Sequence, residues 1–405
     1  MGLRINPAVA RLICSLSGRE VESRGFSRPI GLCSCCLPAR PVVVGYDPAG
    51  VRAALGASTL LGRSGRGIWR FGPVLPVVGV PEEIGADVGG TPTTRHDALS
   101  RDLDLAVWVK NEGTNPSGSF KDRGLAVGVA LGAACGARRF CLPTQGNAGV
   151  ACCLFSARLG LEPALIYMPD GYQGGIYHRA CEHFGGEVRF FGANIAAAGA
   201  RMREDVAREL AGGEFVDMST FFEPGRLEGK KTMGLEIAED VAGSGLPDWI
   251  VYPTGGGTGL VGIWKALAEL RQLGELPGNA RLPRMVAVQA ASCAPVVEAF
   301  HRGLDRVEPV VSKGTIADGL DVPGAIMGHG ILRVLRESGG TAVAVGEDDL
   351  RAAFADYGRL GVCAGVESAA TLAALRALRA AGTVRPGESV LLLNTGSQLI
   401  PLART

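Results

Sequence analysis

The stretch Asn115-Pro-Ser-Gly-Ser-Phe-Lys121-Asp-Arg-Gly124 sets a single lysine amine among glycine, proline and an aromatic ring. It follows the apolar, β-branched run Leu105–Val109 and precedes an alanine-rich apolar run from Leu125 to Ala137, so it is expected to be a strand-to-helix loop. Lys121 then stands at the mouth of a helix, where the dipole adds positive potential while Phe120 walls the amine on one side. Positive potential and desolvation both lower a lysine pKa, which is what an amine needs to attack a carbonyl and form a Schiff base. Alone, such a lysine is an ordinary charge at a helix start; three further loops change that reading.

Pro143-Thr-Gln-Gly-Asn147-Ala-Gly149 lies between the apolar run ending at Leu142 and a helical run from about Val150. Its backbone N–H groups could receive an anion such as a carboxylate, and the Asn147 amide could bond an oxygen on a planar ring. Pro253-Thr-Gly255-Gly256-Gly257-Thr258-Gly259 follows Trp249–Tyr252 and precedes the helical run Val261–Leu273, so three consecutive glycines and the Thr258 hydroxyl could wrap a phosphate. The dinucleotide spacing fails at Leu260. A third loop, Asn394-Thr395-Gly396-Ser397, offers a neutral hydroxyl that could face a ring nitrogen. Gly225-Arg-Leu-Glu-Gly-Lys-Lys-Thr232 is one residue short of a Walker loop and falls on an expected helix start, which argues against ATP binding.

These loops need a scaffold, and the alternation of apolar runs supplies one. Buried parallel strands are expected at Leu105–Val109, Phe140–Leu142, Ala164–Met168, Val188–Phe191, Trp249–Tyr252, Met285–Val288, Ala342–Val345 and Val390–Leu393. Helical stretches separate nearly all of them. The fold class is therefore α/β, with right-handed crossovers placing helices on both faces of open, mostly parallel twisted sheets. Ligands in such sheets bind where loops leave the carboxyl ends of strands, and each loop above does so.

The 405 residues carry a formal net charge of +1, with 47% hydrophobic and 20% charged residues, which makes no electrostatic case for nucleic acid or an anionic membrane. No apolar run is long enough to span a bilayer, and the start Met1-Gly-Leu-Arg-Ile-Asn6 lacks a secretory core, so cytoplasmic residence is expected. Of eleven cysteines, Cys135, Cys141, Cys152, Cys153, Cys181, Cys293 and Cys363 stand in apolar or helical contexts and read as small core residues of a reducing compartment. The other four fall in an N-terminal extension that ends near Asp47. There Cys33-x-x-Cys36 has metal-knuckle spacing, but the matching pair reads Cys14-Ser-Leu-Ser17. Zinc held by Cys14, Cys33 and Cys36 would take Cys35 or a more distant side chain as its fourth ligand; a ribbon that has lost its metal is the alternative.

A lysine amine, an amide for a ring oxygen, a glycine phosphate cradle and a hydroxyl for a ring nitrogen match the polar edges of pyridoxal 5′-phosphate. On Gly89-Gly-Thr-Pro92, the four loops, Glu223-Pro-Gly-Arg-Leu-Glu-Gly-Lys-Lys-Thr232 and Thr315-Ile-Ala-Asp-Gly319, the chain resembles the threonine synthase-like branch of the fold-type II, tryptophan-synthase-β-like enzymes. The resemblance covers nearly the whole chain. It implies a PLP-dependent lyase with its active site between a large domain (48–122 and 223–405) and a small one (123–222), behind a degraded zinc-ribbon-like extension (1–47), and a homodimer. Lys121 would carry the cofactor beside Phe120, Asn147 would hold its phenolic oxygen, Gly255–Gly259 its phosphate, and Thr395 would face its ring nitrogen. Ser119, Thr144, Gln145, Gly146, Ala148 and Arg226 would receive a small amino-acid substrate.

The chain departs from that pattern at Ala148 and Phe221, where hydroxyl residues are usual, at Val366-Glu367-Ser368, and in the tail Gln398-Leu-Ile-Pro401. Three readings stay open. One is a threonine synthase acting on O-phosphohomoserine and water; another is a relative acting on an amino acid such as O-phosphoserine; the third is a silent cofactor-binding protein.

Overall fold

The computed structural model describes residues 2–23, 28–241 and 243–397, so the tail Gln398–Pro401 lies outside the described residues. The chain divides into two compact units. One runs through Gly90 and includes Lys121–Thr232; the other joins Thr91–Phe120 to the chain from Met233 onward. Residues 48–90, 121–122 and 223–232, grouped above with the larger sheet, cluster in the first of these.

The second unit is built on a six-stranded sheet in the order Thr341–Val345, Arg284–Ala290, Trp249–Pro253, Ser389–Asn394, Ala106–Asn111, Thr93–Arg95. All neighbours run parallel except the last pair. The central runs form strands buried on both faces: on one, Val107, Val251, Val286, Val288 and Leu392 pack with Leu372 and Leu375 of the helix Val366–Ala380, and on the other Ile250, Met285 and Leu391 are fully buried. Removing each such side chain from water contributes about 1.5–3 kcal/mol. Lys110 is fully buried in this sheet. It is tolerated because Glu236 at 3.2 Å and Asp240 at 3.1 Å neutralise it and the Thr91 carbonyl accepts a third bond at 3.1 Å.

The first unit holds a parallel four-stranded sheet in the order Glu187–Phe190, Leu165–Met168, Arg139–Pro143, Phe215–Asp217. Its helix Lys121–Ala134 is apolar from Gly124 onward, and Asp122 through Gly132 are all buried. Small residues let it pack closely: a Cβ on Gly128 would stand 2.6 Å from Met218 Cε. The N-terminal extension is an antiparallel sheet of Glu20–Ser23, Val9–Cys14 and Val42–Tyr46, whose Leu12, Val42 and Val44 pack with Leu131 of that helix.

All eight expected strands are present, with ends moved by up to two residues, but Glu187–Phe190 is not buried as expected: it is an edge strand with Arg189 exposed and its other residues half-buried. Two helices begin earlier than expected, at Lys121 and Asn147, so each functional side chain is itself in the first turn. The cysteine reading holds at Cys141, Cys152, Cys153, Cys181 and Cys293, which are buried, is met in part at the half-buried Cys135, and fails at Cys363. Cys363 is exposed because it falls in the loop between the helices Glu347–Arg359 and Val366–Ala380. Among the described residues no helix is long and apolar enough to cross a membrane.

Candidate active site

In the second unit, Trp249–Pro253, Ser389–Asn394 and Ala106–Asn111 are neighbouring parallel strands, and their carboxyl ends carry three of the loops singled out above. Thr395 is buried; its N–H donates to Ser368 Oγ at 2.9 Å, and the two hydroxyl oxygens lie 3.4 Å apart. Its carbonyl accepts the Phe120 N–H at 3.0 Å, and Ser397 N–H donates to the Gly118 carbonyl at 2.9 Å. Those bonds tie Gly118-Ser119-Phe120 to Thr395-Gly396-Ser397 as a short antiparallel bridge. Upstream, the buried carboxylate of Glu112 accepts from Thr91 Oγ1 at 2.7 Å and Asn115 Nδ2 at 2.9 Å. The segment leading to Lys121 is thus pinned along its length, and the Phe120 ring meets Tyr252 edge-on with centroids 6.3 Å apart.

The glycine loop Gly255–Gly259 opens the 16-residue helix Thr258–Leu273, with Gly257 as its cap at φ 79°. Side chains are excluded here for steric reasons. A Cβ would stand 2.4 Å from the Gly319 carbonyl at Gly255, 2.2 Å from Ile331 Cδ1 at Gly257, and 1.9 Å from Tyr252 Oη at Gly259. What remains is bare backbone at a helix N-terminus, with half-buried Gly255 and Gly256 leading into buried Thr258. This is the arrangement that receives phosphate oxygens.

In the first unit, half-buried Lys121 opens its helix, and its neighbour Arg123 is buried with Nη1 donating to Thr232 Oγ1 at 2.9 Å. Asn147 opens the helix Asn147–Arg158 behind the cap Gly146. The Thr144 hydroxyl shapes that loop by accepting the Gly146 N–H at 3.0 Å and donating to the Gly146 carbonyl at 3.2 Å. Gln145 and Ala148 are half-buried beside it, and a Cβ on Gly146 would meet the Tyr177 ring at 2.8 Å. Asn147 Oδ1 is buried with no hydrogen-bond partner among the described residues. A buried amide terminus without a protein partner is what a polar ligand satisfies, and the amide turned by 180° presents N–H to an oxygen.

Arg226 sits in the first turn of the helix Gly225–Asp240 and is buried. Its Nη1 donates to the Met218 carbonyl, while Nε is buried with no partner among the described residues. Glu223 faces it across the turn, accepting the Arg226 N–H at 2.9 Å. Burial pushes the Glu223 carboxyl up to about 7, against the pull of Arg226. Burial also lowers the Lys230 ammonium well below its ordinary range, helped by the positive charges of Arg226 and Lys121. Phe221, on the same loop, is buried with φ 67°, a left-handed conformation unusual for an aromatic residue.

Sequence reasoning singled out Lys121, Asn147, Gly255–Gly259, Thr395 and Arg226, and missed three partners. Ser368 was noted only as a departure, although it holds Thr395. Glu223 and Lys230 were passed over; their positions three residues before and four residues after Arg226, on either side of a helix start at Gly225, are the signal that could have found them.

The residues present fit pyridoxal phosphate: bare backbone for a phosphate, an unsatisfied buried amide for a phenolic oxygen, and a buried hydroxyl for a ring nitrogen. The family model of pyridoxal-phosphate dependent enzymes matches residues 84–396. A threonine synthase of Methanosarcina acetivorans is 33% identical over 335 residues, 82% of this chain and 80% of that one. One of Methanocaldococcus jannaschii is 29% identical over 337 residues, with 82% and 80% covered. In fold, maize serine racemase aligns with a TM-score of 0.64 at 18% identity, over 76% of this chain and 88% of that one. The chain therefore belongs to the pyridoxal-phosphate dependent enzymes, as a lyase of their threonine synthase-like branch.

Proposed function

We propose that the protein is a threonine synthase, converting O-phosphohomoserine and water into threonine and phosphate. The observation that carries this reading is 33% identity to a threonine synthase across 82% of the chain. Arg226, whose buried Nε has no partner among the described residues, supports a substrate that brings a phosphate.

The chemistry that pyridoxal phosphate would supply when bound is an electron sink that acidifies the α carbon of an amino acid. Lys121, Asn147, Gly255–Gly259 and Thr395 would hold it, with Phe120 alongside. Lys121 Nζ would then be the group that takes the α proton and later returns one. Thr395, a neutral hydroxyl held by Ser368, would meet the ring nitrogen without the negative charge that would force it to be protonated. That favours elimination and replacement over transamination. Backbone N–H groups of Thr144–Ala148, with Ser119, would orient the substrate carboxylate. Cytoplasmic residence and a homodimer belong to this same reading.

The test is a substrate panel with the purified enzyme. O-phosphohomoserine should give threonine and phosphate in equal amounts, with little or no phosphate from O-phosphoserine. Turnover of O-phosphoserine without threonine formation from O-phosphohomoserine would overturn the assignment, and so would cofactor binding with no turnover of either.

A further inference from the structure

The N-terminal sheet carries a second cluster that the reaction does not use. The Sγ atoms of Cys14, Cys33, Cys35 and Cys36 all lie within 4.8 Å of one another. Two turns bring them together. Cys14 ends the strand Val9–Cys14, and a tight turn through Gly18, at φ 69°, is closed by Cys14 N–H donating to the Arg19 carbonyl at 2.9 Å. Cys33 enters the facing loop, where its N–H donates to the Arg40 carbonyl at 2.8 Å and returns the chain to the strand Val42–Tyr46.

The spacing of the sulfurs distinguishes what they could share. A disulfide needs sulfurs about 2.05 Å apart. Zinc–sulfur bonds of about 2.3 Å in a tetrahedron place sulfurs about 3.8 Å apart. Cys14 and Cys36 are 3.6 Å apart and Cys35 and Cys36 are 3.9 Å apart, which brackets the tetrahedral value. Polar hydrogens also point at the sulfurs. Ser17 N–H donates to Cys14 Sγ at 3.5 Å and Arg40 N–H to Cys33 Sγ at 3.3 Å, the kind of support that thiolate ligands take from a surrounding backbone. Ser17, where a fourth knuckle cysteine would be expected, instead puts its hydroxyl 3.5 Å from Cys35 Sγ.

We propose that Cys14, Cys33, Cys35 and Cys36 form a structural tetrathiolate zinc site, with Cys35 supplying the ligand absent at Ser17 and the Ser17 hydroxyl bonding its sulfur. Two sulfurs are buried, one is half-buried and one is exposed, a closed shell with no position left for substrate. Zinc here would tie the two turns of the extension together.

The test uses the full-length protein, purified under reducing conditions without chelator. Elemental analysis should find one zinc per chain. After zinc removal, one equivalent of Co²⁺ should produce the intense visible bands of tetrahedral sulfur-bound cobalt, at longer wavelengths than bound pyridoxal phosphate absorbs. Cys35→Ser changes an exposed residue and is expected to keep the fold, shift those bands toward three-sulfur coordination and weaken zinc binding at least about tenfold. A Cys14→Ser variant should lose the bands, provided circular dichroism shows it folded. Iron in place of zinc, a colourless cobalt titration of folded protein, or a Cys35→Ser spectrum identical to the parent would each overturn the proposal.

Discussion

Lys121→Ala should leave a folded protein that no longer holds pyridoxal phosphate covalently and turns over its substrate at least about a thousandfold more slowly. Positioned general acid–base groups contribute roughly 10²–10⁴-fold, and Lys121 would serve both as the attachment point and as the proton carrier. The fold should tolerate the change. Lys121 is half-buried at the first position of its helix, and alanine is the best helix former. Borohydride reduction followed by peptide mapping makes the attachment visible: the parent protein should yield one modified peptide carrying Lys121, and the variant none. A reduced adduct on Lys230, the neighbouring amine whose charge burial disfavours, would reassign the role.

Arg226→Ala should lower kcat/KM for a phosphorylated substrate by at least about a hundredfold. A guanidinium that grips a phosphate makes charge-assisted bonds of about 1.5–3 kcal/mol each, and each 1.4 kcal/mol is tenfold. Because Arg226 is buried and bonds the Met218 carbonyl, some stability should be lost as well. Two comparisons separate the effects. Arg226→Lys retains the charge without the fork and should fall between parent and alanine variant in activity. Serine, which has no phosphate, should shift the cofactor absorbance equally in all three proteins at a temperature well below unfolding. Equal losses for phosphorylated and unphosphorylated ligands would make Arg226 a structural residue beside Glu223.

The strands that position these groups were legible because they lie inside parallel sheets and so read as apolar runs; Trp249–Pro253 is buried throughout. Thr93–Arg95 and Phe215–Asp217 were not, since three residues at a sheet edge show no periodicity. The loops were legible because glycine marks places where a side chain cannot stand, as at Gly259 against Tyr252. Partners brought by the fold were not. Nothing local says that Lys110 will be buried, because Glu236 and Asp240 reach it from far along the chain. Likewise, the cysteine spacing announces a knuckle at Cys33 and Cys36, while only the folded turns bring Cys35 within reach of Cys14. Ser368 was obscured for the same reason, since its role depends on a strand end that follows it in sequence by more than twenty residues.

Threonine formation with bond cleavage on the carbon side of the phosphate ester is most directly tested by turnover of O-phosphohomoserine in water enriched in ¹⁸O. If the enzyme expels phosphate and adds water to the carbon skeleton, mass spectrometry will find one ¹⁸O in the threonine hydroxyl and none in the released phosphate. Label in the phosphate, with homoserine as the product, would mean hydrolysis at phosphorus and would contradict a threonine synthase.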